Sequence, residues 1–338
     1  MDLRLLNVNV WHGLYARTWW KAERLEPAAQ KERRTLALVE GIKALDPDVV
    51  TFQECFPQPR FGIRVAHALG LDHVSQVSNA GLRLFGAGYP LGVDTGEGST
   101  ILAKKGMGLR SRGRKSLSGL GWTFRHLSFQ LVDKRMALAV EVQVGGKPLV
   151  VVTFHVRYEW ASPADAVVAW NALRERKVVL GDLPPPLARS IQANATRRDD
   201  EIGVLASWIE QLRARGAPVV IAGDMNVDDD APQLVDFMKR LDLRSALQVA
   251  GSTRKTWDAA ANPNIAASAA VTYDDGKPKD PASLVVAYHD QLQQRPDHVF
   301  FGPELGKDAL VEARVVLDEP IGGAVPSDHY GILATFRI

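Results

Sequence analysis

Four short polar stretches carry groups that could do phosphate-ester chemistry: Asn7-Val8-Asn9, Gln53-Glu54, Gly223-Asp224-Met225-Asn226 and Ser327-Asp328-His329. The first three each close an apolar run: Leu3-Arg4-Leu5-Leu6, Val49-Val50-Thr51-Phe52 and Val219-Val220-Ile221-Ala222. The fourth precedes the closing run Ile332-Leu333-Ala334-Thr335-Phe336. Strand ends are rigid and polar at the rim, so side chains placed there can converge on one spot. If Glu54, Asp224 and Asp328 meet, each pair of charges about 6 Å apart repels by roughly 3 kcal/mol at an effective dielectric of about 20. A divalent cation relieves that repulsion, and an oxygen-rich shell suits a magnesium-like ion, Mg2+ or Mn2+.

Each stretch has two readings. In Gly223-Asp224-Met225-Asn226 the glycine lets the chain turn, and Asp and Asn two residues apart point the same way. Asp224 can then hold a nucleophilic water and Asn226 can donate to a phosphoryl oxygen, although an Asx turn looks the same locally. Ser327-Asp328-His329 offers a base beside a carboxylate, or simply a turn. A histidine base needs a carboxylate to fix its tautomer, and Asp297, at the start of Asp297-His298-Val299-Phe300-Phe301, stands where it can do so or serve as a strand-entry residue. Glu54 ends an apolar strand, where metal ligation accounts for it better than a surface ion pair. Asn9, on the same strand face as Asn7, is a site residue or a core amide satisfied by hydrogen bonds. His155, after Leu149–Phe154, is a donor to phosphorane charge or a rim histidine. His12, His67, His73, His126, His289 and His298 lack such a setting and read as structural or exposed.

The elements that position these groups are mostly strands. Ala137–Val144, Gly145-Gly146 and Leu149–Phe154 form a hairpin pattern. A helix over Glu32–Leu45 presents Leu36, Val39, Ile42 and Leu45, and one over Asp199–Arg215 presents Ile202, Leu205, Ile209 and Leu212. Two insertions are expected. Residues 157–195 hold a helix capped by Ser162 with Pro163 first, then a stiff Pro184-Pro185-Pro186 link. There Val178–Asp182 mimics the strand-Gly-Asp pattern with Pro184 in place of the asparagine. Residues 258–283 read as a long loop. No second domain or repeat appears, so residues 1–338 are expected to form one domain.

The 338 residues are 46% hydrophobic with a net charge of +2, too balanced to imply a nucleic-acid partner. A single cysteine, Cys55, excludes an internal disulfide and a cysteine zinc site and reads as a small buried apolar residue. No apolar stretch is of membrane-spanning length, so no integral membrane association is expected. The chain reads as a monomer, cytoplasmic or secreted after loss of a signal peptide. One run stands apart: Lys104, Lys105, Arg110, Arg112, Arg114 and Lys115 place six cations in twelve residues with no acid. It is a solvated face or a landing strip for a polyanion or anionic lipid.

The ordered series Asn9, Glu54, His155, Asp224/Asn226, Asp297 and Asp328/His329 resembles the endonuclease/exonuclease/phosphatase superfamily, also called DNase-I-like, over residues 3–336. The resemblance implies an α/β fold, a four-layer α/β/β/α sandwich of two packed, mostly antiparallel sheets with flanking helices. It implies Glu54 as the main metal ligand with Asn9 and Asp328 nearby. His155, Asp224 and Asn226 would lie at the phosphate or attacking water, and His329, oriented by Asp297, would be the base. Val8, Phe154 and Pro296 depart from the family's usual Trp, Thr and Ile, at packing positions. Thr256–Ala266 and Ser327–Tyr330 are similar to segments of bacterial sphingomyelinases, but Asp318–Pro326 lacks the aromatic hairpin those enzymes carry into membranes. Trp19-Trp20 or the 157–195 insertion would have to substitute.

The expectation is therefore a magnesium-dependent phosphodiesterase acting on a phospholipid or small phosphodiester, sphingomyelinase-like. The alternatives are a magnesium-dependent endo- or exonuclease tracked by Lys104–Lys115 and, from another class, a silent binding module of the same fold.

Overall fold

In the computed structural model, residues 1–17, 23–80, 82–84, 87–89, 96–124, 127–158, 163–267, 281–306 and 308–338 are described. Trp19, Trp20, His126, Ser162 and much of the 258–283 stretch lie outside them. Two six-stranded sheets dominate. The first runs Leu310–Val316, Gly331–Arg337, Asp2–Asn9, Val49–Gln58, Gly96–Ala103, Asp72–Asn79. The second runs Arg244–Ser245, Asp297–Phe301, Val219–Asp224, Lys147–His155, Arg135–Val144, Arg110–Ser118. Pairing is antiparallel apart from one parallel pair in each sheet: Asp2–Asn9 with Val49–Gln58, and Lys147–His155 with Val219–Asp224.

Strand alternation builds the layers. Successive side chains point to opposite faces, so Leu3, Leu5, Val220 and Ala222 enter the core between the sheets. Leu6 and Val8 instead meet the helices Ala28–Leu45 and Arg60–Leu69, and Val219 and Ile221 meet Pro185–Arg213 and Pro232–Arg240. The result is the expected helix, sheet, sheet, helix sandwich. No described helix is long and apolar enough to cross a membrane.

The Gly145-Gly146 hairpin forms with Val144 opposite Lys147, and both glycines have positive φ. Three local expectations are corrected. Helix Ala28–Leu45 buries Thr35, Leu38, Val39 and Ile42 while Leu36 is exposed. Three-residue steps turn 300° on a 3.6-residue helix, so Leu36 drifts off the face that Val39 and Ile42 share. Pro184-Pro185-Pro186 is no stiff link: Pro185 and Pro186 open a 29-residue helix to Arg213, because the first turn needs no donor from them. The stretch at 258–283 is only partly loop, with helix at 263–267 and again from Pro281 to Asp290. Val285 on that last helix packs with Ala169, Trp170 and Ile191, so the helices of the two insertions support each other.

Asp182 lies on the surface in an ion pair with Arg174, at 3.0 Å, so the second Gly-Asp is indeed a decoy. Cys55 is fully buried, and burial pushes its thiol up from the ordinary value.

Candidate active site

Sheet register brings the predicted residues together. His155 is opposite Asp224, and Asp224 is opposite Asp297, on three neighbouring strands. All three continue the series that faces the other sheet: Val151 before His155, Ala222 before Asp224, Val299 after Asp297. Asn9 likewise follows Leu3 and Leu5 on its own strand. The two sheets thus aim their polar ends at one point.

Glu54 needs a further device. Val49 faces the inter-sheet core, and Val50, Phe52 and Cys55 face the helices, so strict alternation sends Glu54 outward. A register shift between Phe52 and Cys55 and a left-handed φ of 56° at Glu54 break the alternation. Such a bulge re-aims a side chain at the cost of local strain. Here the carboxylate turns inward: Asn9 Nδ2 donates to Glu54 Oε1 at 3.1 Å and to Asp224 Oδ2 at 2.9 Å. Gly223 has no left-handed turn to make. A Cβ there would lie 2.3 Å from the Phe154 carbonyl oxygen, so glycine allows close strand packing.

His329 Nδ1 lies 2.8 Å from Asp297 Oδ2, and both side chains are buried. Burial alone lowers the imidazole pKa, but the carboxylates of Asp297, Asp328 and Asp224 carry it well above its ordinary value. Burial, then the charge of Asp297, pushes Asp224 up to about 7, and burial raises Asp328 to about 6, with Glu54 adding to it. Burial would raise Glu54 too, yet His12, His155 and His329 hold it well below the ordinary range. His155 falls to about 4 through burial and then the charge of Arg135, which leaves it neutral near pH 7.

The Asp224 Oδ1 atom accepts the Asn226 backbone N–H at 2.8 Å, so this stretch is an Asx turn as well as a site. One amide hydrogen of Asn226 goes to the Val156 carbonyl, at 2.8 Å. Asn9 faces the carboxylates with its nitrogen, while its oxygen accepts from Trp11 N–H at 3.0 Å. In this arrangement Asn9 orients two carboxylates through its nitrogen.

Several functional neighbours escape a sequence reading. His12, read as structural or exposed, ion-pairs through Nδ1 with Glu54 Oε2 and donates its backbone N–H to the same oxygen at 3.2 Å. Its place three residues past Asn9 is the only signal. Arg135 Nη1 lies 3.1 Å from His155 Nδ1. Asn262 and Asn264 donate to the carbonyls of Ser327, Asp328 and Val325 at 2.9–3.0 Å, which fixes the loop of Asp328 and His329. Trp257 stands edge-on to the His329 ring, with centroids 5.0 Å apart.

Ligand atoms of Glu54, His155 and Asp224 lie within 4.8 Å of one another, as do those of Asp224, Asp297 and His329. Asp297 Oδ1 is buried without a hydrogen-bond partner. Four carboxylates gathered here, two of them raised towards neutrality by burial, suit a hard divalent cation.

Half of the basic run is tied to acids. Arg110 and Arg112 both pair with Glu141, and Lys104 lies 3.0 Å from Asp46 and from Asp48. Glu141 stands six residues along the strand from Arg135, about 20 Å away from the site.

The chain belongs to the Endonuclease/Exonuclease/phosphatase family, whose profile matches residues 6–329. That family membership makes it a phosphoric-ester hydrolase. Among solved structures it is similar to D. rerio TDP2 complexed with single strand DNA product, at 16% identity and a TM-score of 0.60, covering 100% of this chain and 99% of that one. A mannosyl-6-phosphatase from Bacteroides thetaiotaomicron VPI-5482 is similar at 14% identity and 0.59, over 99% and 100%. Truncated Caenorhabditis elegans TDP2 is similar at 17% and 0.55, over 100% and 98%. At these identities the likeness is one of fold. No curated protein matches the chain in sequence.

Proposed function

We propose that this protein hydrolyses a small phosphodiester, either a phospholipid head-group linkage or a soluble diester, with a divalent cation, Mg2+ or Mn2+. The observation that carries the reading is the line His155, Asp224, Asp297 with His329 on Asp297, set against Glu54 from the other sheet. With Asp297 accepting from Nδ1, His329 keeps Nε2 to take a proton from water. His155, neutral and buried, donates to a phosphoryl oxygen, and Asn226 has a second amide hydrogen for the same task. Asp224 orients the attacking water, and Asn9 holds Asp224 and Glu54 in place. A divalent cation on Glu54 and Asp328 would neutralise charge growing on the phosphoryl oxygens and offset the carboxylate field around His329.

The pairing of Lys104, Arg110 and Arg112 with acids, and the distance of that strand end from the site, favour a small substrate over a polymer. Asp318–Pro326 closes in a minimal turn, Ile321 bridging to Ala324 across Gly322 and Gly323, which offers no aromatic hairpin to a bilayer. A nuclease is the second reading, and the similarity to a TDP2 bound to its DNA product favours it. The test is hydrolysis of bis(4-nitrophenyl) phosphate, sphingomyelin and single-stranded DNA with Mg2+ or Mn2+, across a salt series. Rapid DNA cleavage that collapses with salt, with no turnover of the small diesters, would replace this reading by the second.

A further inference from the structure

Helix Ala28–Leu45 sends two cations to the loops that frame the site. Arg34 is buried, and its five N–H groups have five partners. Nε donates to Glu26 Oε2 at 3.0 Å, and Nη2 pairs with the other oxygen of Glu26. Nη2 also reaches the Trp11 carbonyl at 3.4 Å. Nη1 donates to the carbonyls of Val10, at 3.3 Å, and of Pro326, at 2.7 Å. The guanidinium lies over the Trp11 ring, 4.5 Å from its centroid. About one turn earlier, Lys31 Nζ donates to the His12 carbonyl at 2.7 Å.

The successive carbonyls of Val10, Trp11 and His12 are therefore held by helix cations. Trp11 has a left-handed φ of 52°, a strained state that persists only where its surroundings fix it. While the carbonyls go to the helix, the N–H groups go to the site: Trp11 to Asn9 Oδ1 and His12 to Glu54 Oε2. Gly13 follows with a φ of 84°, and a Cβ there would run into the Glu26 carboxylate. Glycine thus lets the anchor of Arg34 pack against the same loop. On the other side, Pro326 precedes Ser327, whose Oγ donates to the Asn9 carbonyl at 2.7 Å. Asp328 and His329 come next. One guanidinium spans the loop that orients Glu54 and the loop that carries Asp328.

A buried ion pair adds little stability over an apolar pair of similar volume, so its pairing with Glu26 does not account for Arg34. An apolar side chain could not donate to two loops at once. We infer that Arg34 is a positioning residue that ties the 10–13 loop to the 326–329 loop and so sets the spacing of Glu54 and Asp328 for a divalent cation. Lys31 holds the first loop alone. The cation rests on the hydrolytic reading proposed above; the tie between the loops does not.

Arg34→Lys keeps a charge beside Glu26 but loses the fork that reaches both loops. Two measurements on the full chain, neither needing a substrate, read the result: amide hydrogen exchange without metal, and Mn2+ binding by calorimetry. Exchange should quicken about tenfold in both loops. Mn2+ should bind about tenfold more weakly, as happens when partners of ligating groups are removed. Ile42→Ala, about two turns along the same helix, opens the apolar core but makes none of these contacts. It should leave Mn2+ affinity within about twofold, since only packing is lost. Lys31→Met should quicken exchange in the 10–13 loop and spare residues 327–329. Should Arg34→Lys not fold, Glu26→Gln loosens the same anchor and carries the same two readouts. Mn2+ affinity that Arg34→Lys lowers no more than Ile42→Ala does overturns the inference. So does exchange that quickens in one loop alone, or in both with Lys31→Met. If the wild-type chain binds no Mn2+ but Arg34→Lys loosens both loops, the metal reading falls and the tie stands.

Discussion

Gln53 Nε2 donates to Thr153 Oγ1 at 2.7 Å, across the interface between the two sheets. The same nitrogen donates to Asn7 Oδ1 at 2.9 Å. Gln53 precedes Glu54, and Thr153 stands two residues before His155, so this contact sets one half of the site against the other. Gln53→Ala leaves buried polar groups without partners, at a cost of about 1–3 kcal/mol. Chemical denaturation should show that loss, together with a lower kcat. A variant with wild-type midpoint and kcat would mean that the sheets are aligned by apolar packing alone.

His329→Ala should lower kcat by at least about 100-fold, the usual scale of general-base help. Asp297→Asn keeps the shape but offers His329 the wrong hydrogen-bonding partner, and should also cost heavily. A pH–rate profile for each variant checks this. Near-normal kcat for His329→Ala at every pH assigns the base elsewhere.

Chelation should abolish turnover, and Mn2+ or Mg2+ should restore it. Glu54→Gln should weaken metal binding measured by calorimetry. His12 holds the far oxygen of Glu54, so His12→Phe should weaken the same binding by about tenfold, as partners of ligating carboxylates do. Unchanged affinity in His12→Phe would reduce that contact to packing.

Glu141 reports on the basic run. Burial would raise its pKa, but Arg112 and Arg110 hold it below the ordinary 4.5. A folded value below the unfolded one gives stability that is present above about pH 4.5 and is lost as the pH falls through the folded value. Glu141→Gln should therefore flatten the acid limb of the stability–pH curve below 4.5. It should leave kcat/KM for a small diester within about twofold. Changing Arg110, Arg112 and Arg114 together to Ala should do the same to kcat/KM; a large, salt-sensitive loss would restore the run as a substrate track.

The parts legible in the sequence are those where a polar residue interrupts an apolar run. Asn9, His155 and Asp224 end such runs, and Asp297 begins one, so period-two alternation alone puts them on the inner faces. Glu54 was found by the same sign, but its direction was not, since a bulge cannot be read from Val49–Phe52. His12 and Arg135 were hidden because each looks like an ordinary flanking residue until a distant strand arrives. Glu141, Asp46 and Asp48 were hidden for the same reason, which made the basic run look unopposed. The proline triplet misled because a helix start and a stiff link share one composition.

The strand Gly331–Arg337 lies antiparallel between Asp2–Asn9 and Leu310–Val316, with Asp2 opposite Arg337. Asn9 is therefore made long before Asp328, His329 and the strand that pairs beside it. A chain made only as far as Asp224 has neither His329 nor a closed first sheet. The first sheet and the candidate site are thus completed by the same strand, and a chain cut short of it has neither.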